Sequence, residues 1–279
     1  MSMTQNTMKR TLSIAMGALV LVLAFGLFGF AQQAQAANYT AGTIKAQSTA
    51  TASKKVVKGT INSGKKVTKT FTMPEEGYVT FTVNVPKGLG TTAVRIDYHS
   101  IRFVSTDILN GSIGDGKFTS GRFSIKPGAK FKVTLELSQN IPILKQSLPY
   151  TITMTNKTPD RYEKELNNSK STANELTLNK AYSGNIMKKG RDWFVFKAPK
   201  DGTYKVMGKM HLSTKGGTSW STMELFNGST PSGTKLVSSG NGYTRLGSLV
   251  LKKGQKAYVK ITPAPLSTSA SENYVLKVC

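Results

Sequence analysis

From Val56 onward stretches appear in which apolar residues recur at every second position. Val79, Phe81, Val83 and Val85 alternate with Thr80, Thr82 and Asn84, and Phe131, Val133, Leu135 and Leu137 alternate with Lys132, Thr134 and Glu136. Successive side chains of an extended chain point to opposite faces, so this alternation predicts strands with one buried and one solvated side. A helical period with caps never lasts more than about two turns past the N-terminal region, and Ser171–Leu176 is its best candidate. The pattern predicts an all-β protein.

An internal repeat then sets the domain count. Gly59-Thr60-Ile61 and the later Phe71-Thr72-Met73-Pro74-Glu75-Glu76-Gly77 match Gly184-Asn185-Ile186 and Phe196-Lys197-Ala198-Pro199-Lys200-Asp201-Gly202 at a constant offset of 125. Ile125-Lys126-Pro127-Gly128 matches Leu251-Lys252-Lys253-Gly254, and Tyr150-Thr151-Ile152 matches Tyr274-Val275-Leu276. The shared turns have a physical reason, since proline fixes φ where a tight turn begins and glycine supplies the positive φ where it ends. The expectation is two tandem β-sandwich domains, jelly-roll-like, over residues 55–157 and 158–279, with about seven or eight strands each. They meet at Asn156–Arg161, a connection too short to let them drift apart.

The first 54 residues read differently. Lys9 and Arg10 precede an apolar run from Leu12 to Phe30, and Ala34-Gln35-Ala36 follows. A positive flank, an apolar core and a small-x-small site predict a secretory signal peptide over residues 1–36, cleaved after Ala36, and this is the chain's only expected contact with a membrane. Residues 37–54 are small, polar and rich in Thr and Ala, which predicts a flexible linker. The only cysteine is Cys279, so neither an internal disulfide framework nor a lipid-anchoring cysteine after the signal is available. Export combined with near-absence of cysteine points to a secreted protein of a Gram-positive bacterium.

Charge changes the picture of the partners. The chain carries a formal +24, or +22 once Lys9 and Arg10 leave with the signal. Such an excess favours anionic polymers. Arginines number only seven against 31 lysines, the wrong balance for reading base edges, so no specific nucleic acid is expected. The expected partners are extracellular protein or polysaccharide, including anionic cell-wall polymer.

Candidate chemistry concentrates between Tyr162 and Phe196. Glu163, Glu165, Asn167 and Asn168 form an acidic, amide-rich run, Gly184 marks a turn, and Asp192 leads into Trp193-Phe194-Val195-Phe196. A hard cation such as calcium takes six to eight oxygen ligands, and this segment offers oxygens at both ends. The order E-x-E-x-N-N, S-x-x-A-N, S-G, D-W-F-x-F resembles the bacterial pre-peptidase C-terminal domain family, related to the collagen-binding domains of collagenases. The resemblance covers roughly Asp160 to the C-terminus and is diverged in the first copy. It implies secreted, non-catalytic β-sandwiches, and it places a calcium set on Glu163, Glu165, Asn167, Asn168 and Asp192. Lys189 stands where the family often has a further aspartate, and Val67 and Lys54-Lys55 stand where the first copy would need its own ligands.

Neither His99 nor His211 lies in a catalytic signature, and no nucleophile elbow, zinc-binding histidine pair or phosphate-cradling loop occurs, so the chain is not expected to be an enzyme. Flat rings stack on prolines and sugar faces, which makes Trp193, Trp220 and Tyr243 the candidate ligand-binding aromatics. The functional expectation is a secreted binding or adhesion module for matrix, cell wall or another anionic polymer, with a candidate calcium set in the second copy. The alternative is an accessory partner, for folding, inhibition or substrate docking, of a separately encoded secreted protease.

Overall fold

A computed structural model describes residues 51–62, 64–86, 92–98, 101–107, 116–137, 147–187, 189–211, 219–265 and 271–279. The signal sequence, its cleavage site at Ala36, most of the linker and His99 lie outside these residues. Among the described residues no helix is long and apolar enough to cross a membrane.

The first copy contains eight strands: β1 (Thr51–Asn62), β2 (Lys66–Thr72), β3 (Tyr78–Asn84), β4 (Thr92–Tyr98), β5 (Ile101–Asp107), β6 (Lys117–Thr119), β7 (Lys130–Leu137) and β8 (Ser147–Thr158). They form two antiparallel sheets in the orders β1-β8-β3-β6 and β2-β7-β4-β5. The second copy adds β9 (Asn174–Leu176), β10 (Ala181–Met187), β11 (Asp192–Lys197), β12 (Gly202–His211), β13 (Trp220–Asn227), β14 (Thr230–Ser238), β15 (Thr244–Leu251), β16 (Lys256–Pro263) and β17 (Ser271–Val278). Its sheets run β10-β17-β12-β15 and β14-β13-β16-β11-β9. Strand for strand the second copy repeats the order of the first, and β9 is added in parallel beside β11.

Each copy encloses its own core. Phe71, Phe81, Phe123 and Phe131 stack edge to face or tilted at centroid distances of 5.3–6.5 Å in the first. In the second, Phe194 and Phe196 enter the core as their alternation requires, against Tyr274 and Tyr204 respectively. The duplicated turns close alike, with Gly128 at φ 80° and Gly254 at φ 81°, the left-handed region where a side chain would be strained.

Two details differ from the sequence reading. Strand β1 begins at Thr51, inside the stretch read as linker, because β8 is equally long and pairs with it from Thr51↔Thr158 to Asn62↔Ser147. Twelve backbone pairs in register outweigh the weak strand preference of Ala52 and Ser53. The helix candidate Ser171–Leu176 is instead a single 3-10 turn, Lys170–Thr172, followed by β9. The segment is too short to nucleate a helix, and β11 offers it an open edge.

Candidate functional site

The same residue pair sits in both copies. Gly59 faces Tyr150 across β1 and β8, and Gly184 faces Tyr274 across β10 and β17. Each tyrosine ring lies over the glycine, where a Cβ would collide with it. What the hydroxyl then meets differs, since β2 carries Val67 where β11 carries Asp192.

In the second copy the Tyr274 hydroxyl reaches Asp192 Oδ2 at 2.8 Å and also Glu163 Oε2. The other Glu163 oxygen accepts the Asn185 backbone N–H at 2.6 Å. Tyr274, Glu163 and Asp192 are all buried. A phenol has one hydrogen. One of the two carboxyl oxygens can accept it, and the other must donate to the phenol oxygen, which requires a proton on that carboxyl. The electrostatics agree. Burial pushes the Glu163 carboxyl up to about 7, opposed by its bonds from Tyr274 and Asn185. Asp192 is raised well above the carboxylate range by burial and then by Glu163 and Glu165. Glu165, partly buried, is pushed up to about 9 by burial, by Glu163 and by Glu76 of the first copy.

Several residues that the sequence did not single out hold this cluster. The Glu163 N–H donates to Ser183 O at 2.9 Å, which lays the acidic run along β10. Asn174 clips the run by accepting the Lys164 N–H at 2.6 Å and donating to Lys164 O at 3.1 Å. Glu76, from the duplicated Pro-x-x-Gly turn of the first copy, accepts the Glu165 N–H at 3.2 Å. Tyr274 was visible only as part of a repeat; its tyrosine–glycine register was the available clue.

Of the five proposed calcium ligands, Glu163 and Asp192 meet at the Tyr274 hydroxyl, and Glu165 acts on Asp192 by its charge. Asn167 is fully buried beside Glu163, and neither its Oδ1 nor its Nδ2 completes a hydrogen bond. Of the two unpartnered atoms only Oδ1 is a ligand for a hard cation; Nδ2 is a donor and cannot serve as one. Asn168 is exposed, and Lys189 takes a left-handed φ of 68° on the exposed turn before Asp192. Among the described residues no group of three or more His, Cys, Asp or Glu is placed so that it could hold a metal ion.

Beside this cluster the two copies enclose a cleft of about 490 Å³. Thr80, Ser120 and Arg122 line it from the first copy, and Ser183, His211 and Asn273 from the second. Its charged or titratable lining groups other than Tyr274 are Arg122 and His211. The Arg122 guanidinium stacks 4.6 Å over the Tyr78 ring. His211 is held below its ordinary value by burial and by Lys209 and Arg122, so it is neutral at pH 7. Ser124 ties the copies together, its N–H donating to Asn185 Oδ1 at 3.3 Å and its hydroxyl bonding Tyr162 at 2.8 Å.

The candidate aromatics do not form one platform. Trp193 faces away from the core, lies against Phe226 and Tyr258 and is capped by the Lys170 ammonium, 5.4, 4.5 and 5.3 Å from the three ring centroids of Trp193, Phe226 and Tyr258. The chain's own lysine thus lies over the Trp193 ring. Trp220 is exposed at the far end of β13, six residues or roughly 20 Å of strand from Phe226. Tyr243 is half-buried, and burial raises its hydroxyl.

No family model matches the chain, and no curated protein matches it. Among solved structures it is similar to the CUB1-EGF-CUB2 region of human MASP-1/3, at 7% identity and TM-score 0.26 over 81% of this chain and 99% of that one. A xanthan lyase from Paenibacillus gives 13% identity and TM-score 0.29 over 82% of this chain and 25% of that one. The M60 catalytic domain with two CBM51 domains from Clostridium perfringens ZmpB gives 5% identity and TM-score 0.26 over 79% and 34%. At these values the likenesses carry no argument about ligand or activity, and what the chain does rests on its own residues.

Proposed function

We propose that this chain is a secreted, non-catalytic module that binds an anionic extracellular polymer, with a calcium ion stabilising its second copy, and that it is a diverged tandem relative of the pre-peptidase C-terminal domains. The observation that carries the binding reading is the cleft between the copies, where Arg122 and His211 converge and no carboxylate lines the wall. An anionic group entering it meets one fixed cation, the hydroxyls of Ser120 and Ser183 and the amide of Asn273. The net charge of the chain draws polyanions towards it.

Calcium on this reading is held by Glu163, Asp192 and Asn167. Its positive charge would offset the burial that raises those carboxyls, and its role is to fix the fold beside the cleft. The test of the binding reading is retention of the mature chain on immobilised polyanions and on neutral dextran. Retention on at least one polyanion at about 0.15 M salt, lost at high salt and absent on dextran, is expected; passage through every polyanionic matrix overturns it.

A further inference from the structure

The two sheets that wall the cleft are chemically unlike the other two. In β1, β8, β3 and β6 there is no acidic residue, and in β10, β17, β12 and β15 the only one is Glu272, which is buried and accepts the Ser221 hydroxyl at 2.9 Å. On the remaining sheets acid and base alternate and pair across strands, as Lys66–Glu136 at 3.1 Å, Arg95–Glu136 at 3.3 Å and Lys260–Glu224 at 2.6 Å. Positive charge on the cleft sheets is thus uncompensated by neighbours on their strands.

The pairing register shows how that charge is laid out. On the outward face of the first wall, Thr153 stands opposite Thr82 and Thr82 opposite Thr119, while Thr155 stands opposite Thr80, which itself lines the cleft. Thr151 continues the row along β8. Neighbouring strands lie about 4.8 Å apart and alternate residues of a strand about 6.7 Å apart, so these hydroxyls form a two-dimensional grid. Exposed Lys54, Lys58, Lys117 and Lys157 rim it. On the second wall Lys205, Lys209 and His211 share the outward face of β12, with Lys277 paired beside Met207.

We infer that these two outward faces, meeting at the cleft, form one groove for an acidic polysaccharide. This rests on the polyanion reading above and names its ligand class. Each threonine hydroxyl both donates and accepts, so a grid of them matches a partner that is itself studded with hydroxyls, which sugars are and acidic peptides are not. Lysines around the grid pair with the carboxylates of such a chain as point charges, without demanding the bidentate geometry that arginine would. Thr80, shared by the grid and the cleft, makes the groove continuous past Arg122 to the second copy.

The experiment measures binding of the mature chain to polygalacturonate, a carboxylated glycan, to poly-glutamate, a polyanion without sugar hydroxyls, and to neutral dextran. Three proteins are compared: wild type, a groove variant (K117E, K157E, K209E, K277E) and a control with the same charge change on the other sheets (K130E, K132E, K235E, K256E). The expected result is tighter wild-type binding to polygalacturonate than to poly-glutamate, at least a tenfold loss in the groove variant and less than threefold in the control. A second pair, T82V and T153V together, keeps shape and strand preference while removing two hydroxyls; it should weaken polygalacturonate about three- to tenfold and leave poly-glutamate unchanged. This pair decides alone if the groove variant does not fold. Equal losses in groove and control variants, or an indifferent threonine pair, overturn the groove while leaving the polyanion reading intact. Wild-type binding to poly-glutamate but not polygalacturonate does the same. Wild-type binding to neither overturns both.

Discussion

Tyr274 places its hydroxyl 2.8 Å from the carboxyl of Asp192, joining β17 of one sheet to β11 of the other through the middle of the second sandwich. The equivalent Tyr150 of the first copy lies over its glycine in the same way but looks towards a strand with Val67 in place of the aspartate. One copy thus uses its tyrosine as an apolar plug and the other as the hub of a polar cluster.

The variant Tyr274→Phe should therefore cost more than Tyr150→Phe. Removing the phenol leaves two buried carboxyls without their shared partner, a loss of about 2–3 kcal/mol, whereas the matched change at Tyr150 should stay within about 1 kcal/mol. Urea unfolding of both variants measures the difference, and equal costs would deny the cluster its structural role.

Gly184→Ala tests the close approach of ring and backbone. A methyl at that position meets the Tyr274 hydroxyl and ring, so either the ring leaves the cluster or the ladder of β10 and β17 opens. The expected destabilisation is about 1–3 kcal/mol, accompanied by loss of any calcium response. Unchanged stability together with an unchanged calcium response would contradict the packing described.

Stability should fall as pH rises through neutrality when no divalent cation is present. Glu163 and Glu165 have native values of about 7 and 9, above the ordinary value of 4.5. The native state therefore holds more protons than the unfolded chain between about pH 4.5 and 9, and the slope of stability against pH is negative across that window. The stabilisation is complete below about 4.5 and is lost as pH climbs through 7 and then 9. Calcium at millimolar concentration should raise the melting temperature most at the alkaline end, where the carboxylates need a counter-charge. Melting curves in chelator and in calcium from pH 5 to 9 check this, and E165Q should flatten the upper part of the decline.

Lys170 closes the aromatic surface of β11, β13 and β16 with its ammonium, which also donates to Gly228 O at 3.3 Å. K170M keeps the apolar stem and loses the cation, so about 1–2 kcal/mol of stability should go with it. Trp193 and Trp220 are the only tryptophans, so a W220F background isolates the emission of Trp193. A shifted spectrum in K170M is expected, and an unaltered spectrum with unaltered stability would show that the ammonium does not sit on the rings.

How far the sequence reached depends on what kind of information each feature needs. Strands, cores and the duplication were legible because they depend on local periodicity: Phe194 and Phe196 had to turn inward together once the period was two, and Gly128 and Gly254 had to punctuate the same turn twice. The acidic run was also legible as a group, since Glu163, Glu165 and Asn167 are near neighbours in the chain. Its hub was not, because Tyr274 lies more than a hundred residues from Glu163, and nothing local distinguishes it from Tyr150. Nor could the chain alone tell that Lys170 caps Trp193, or that Glu76 of the first copy presses on Glu165 of the second. Alternation decides which side of a sheet a residue occupies. Which sheet faces which, and so which lysines and threonines share a groove, is decided only when strands from both copies are packed together.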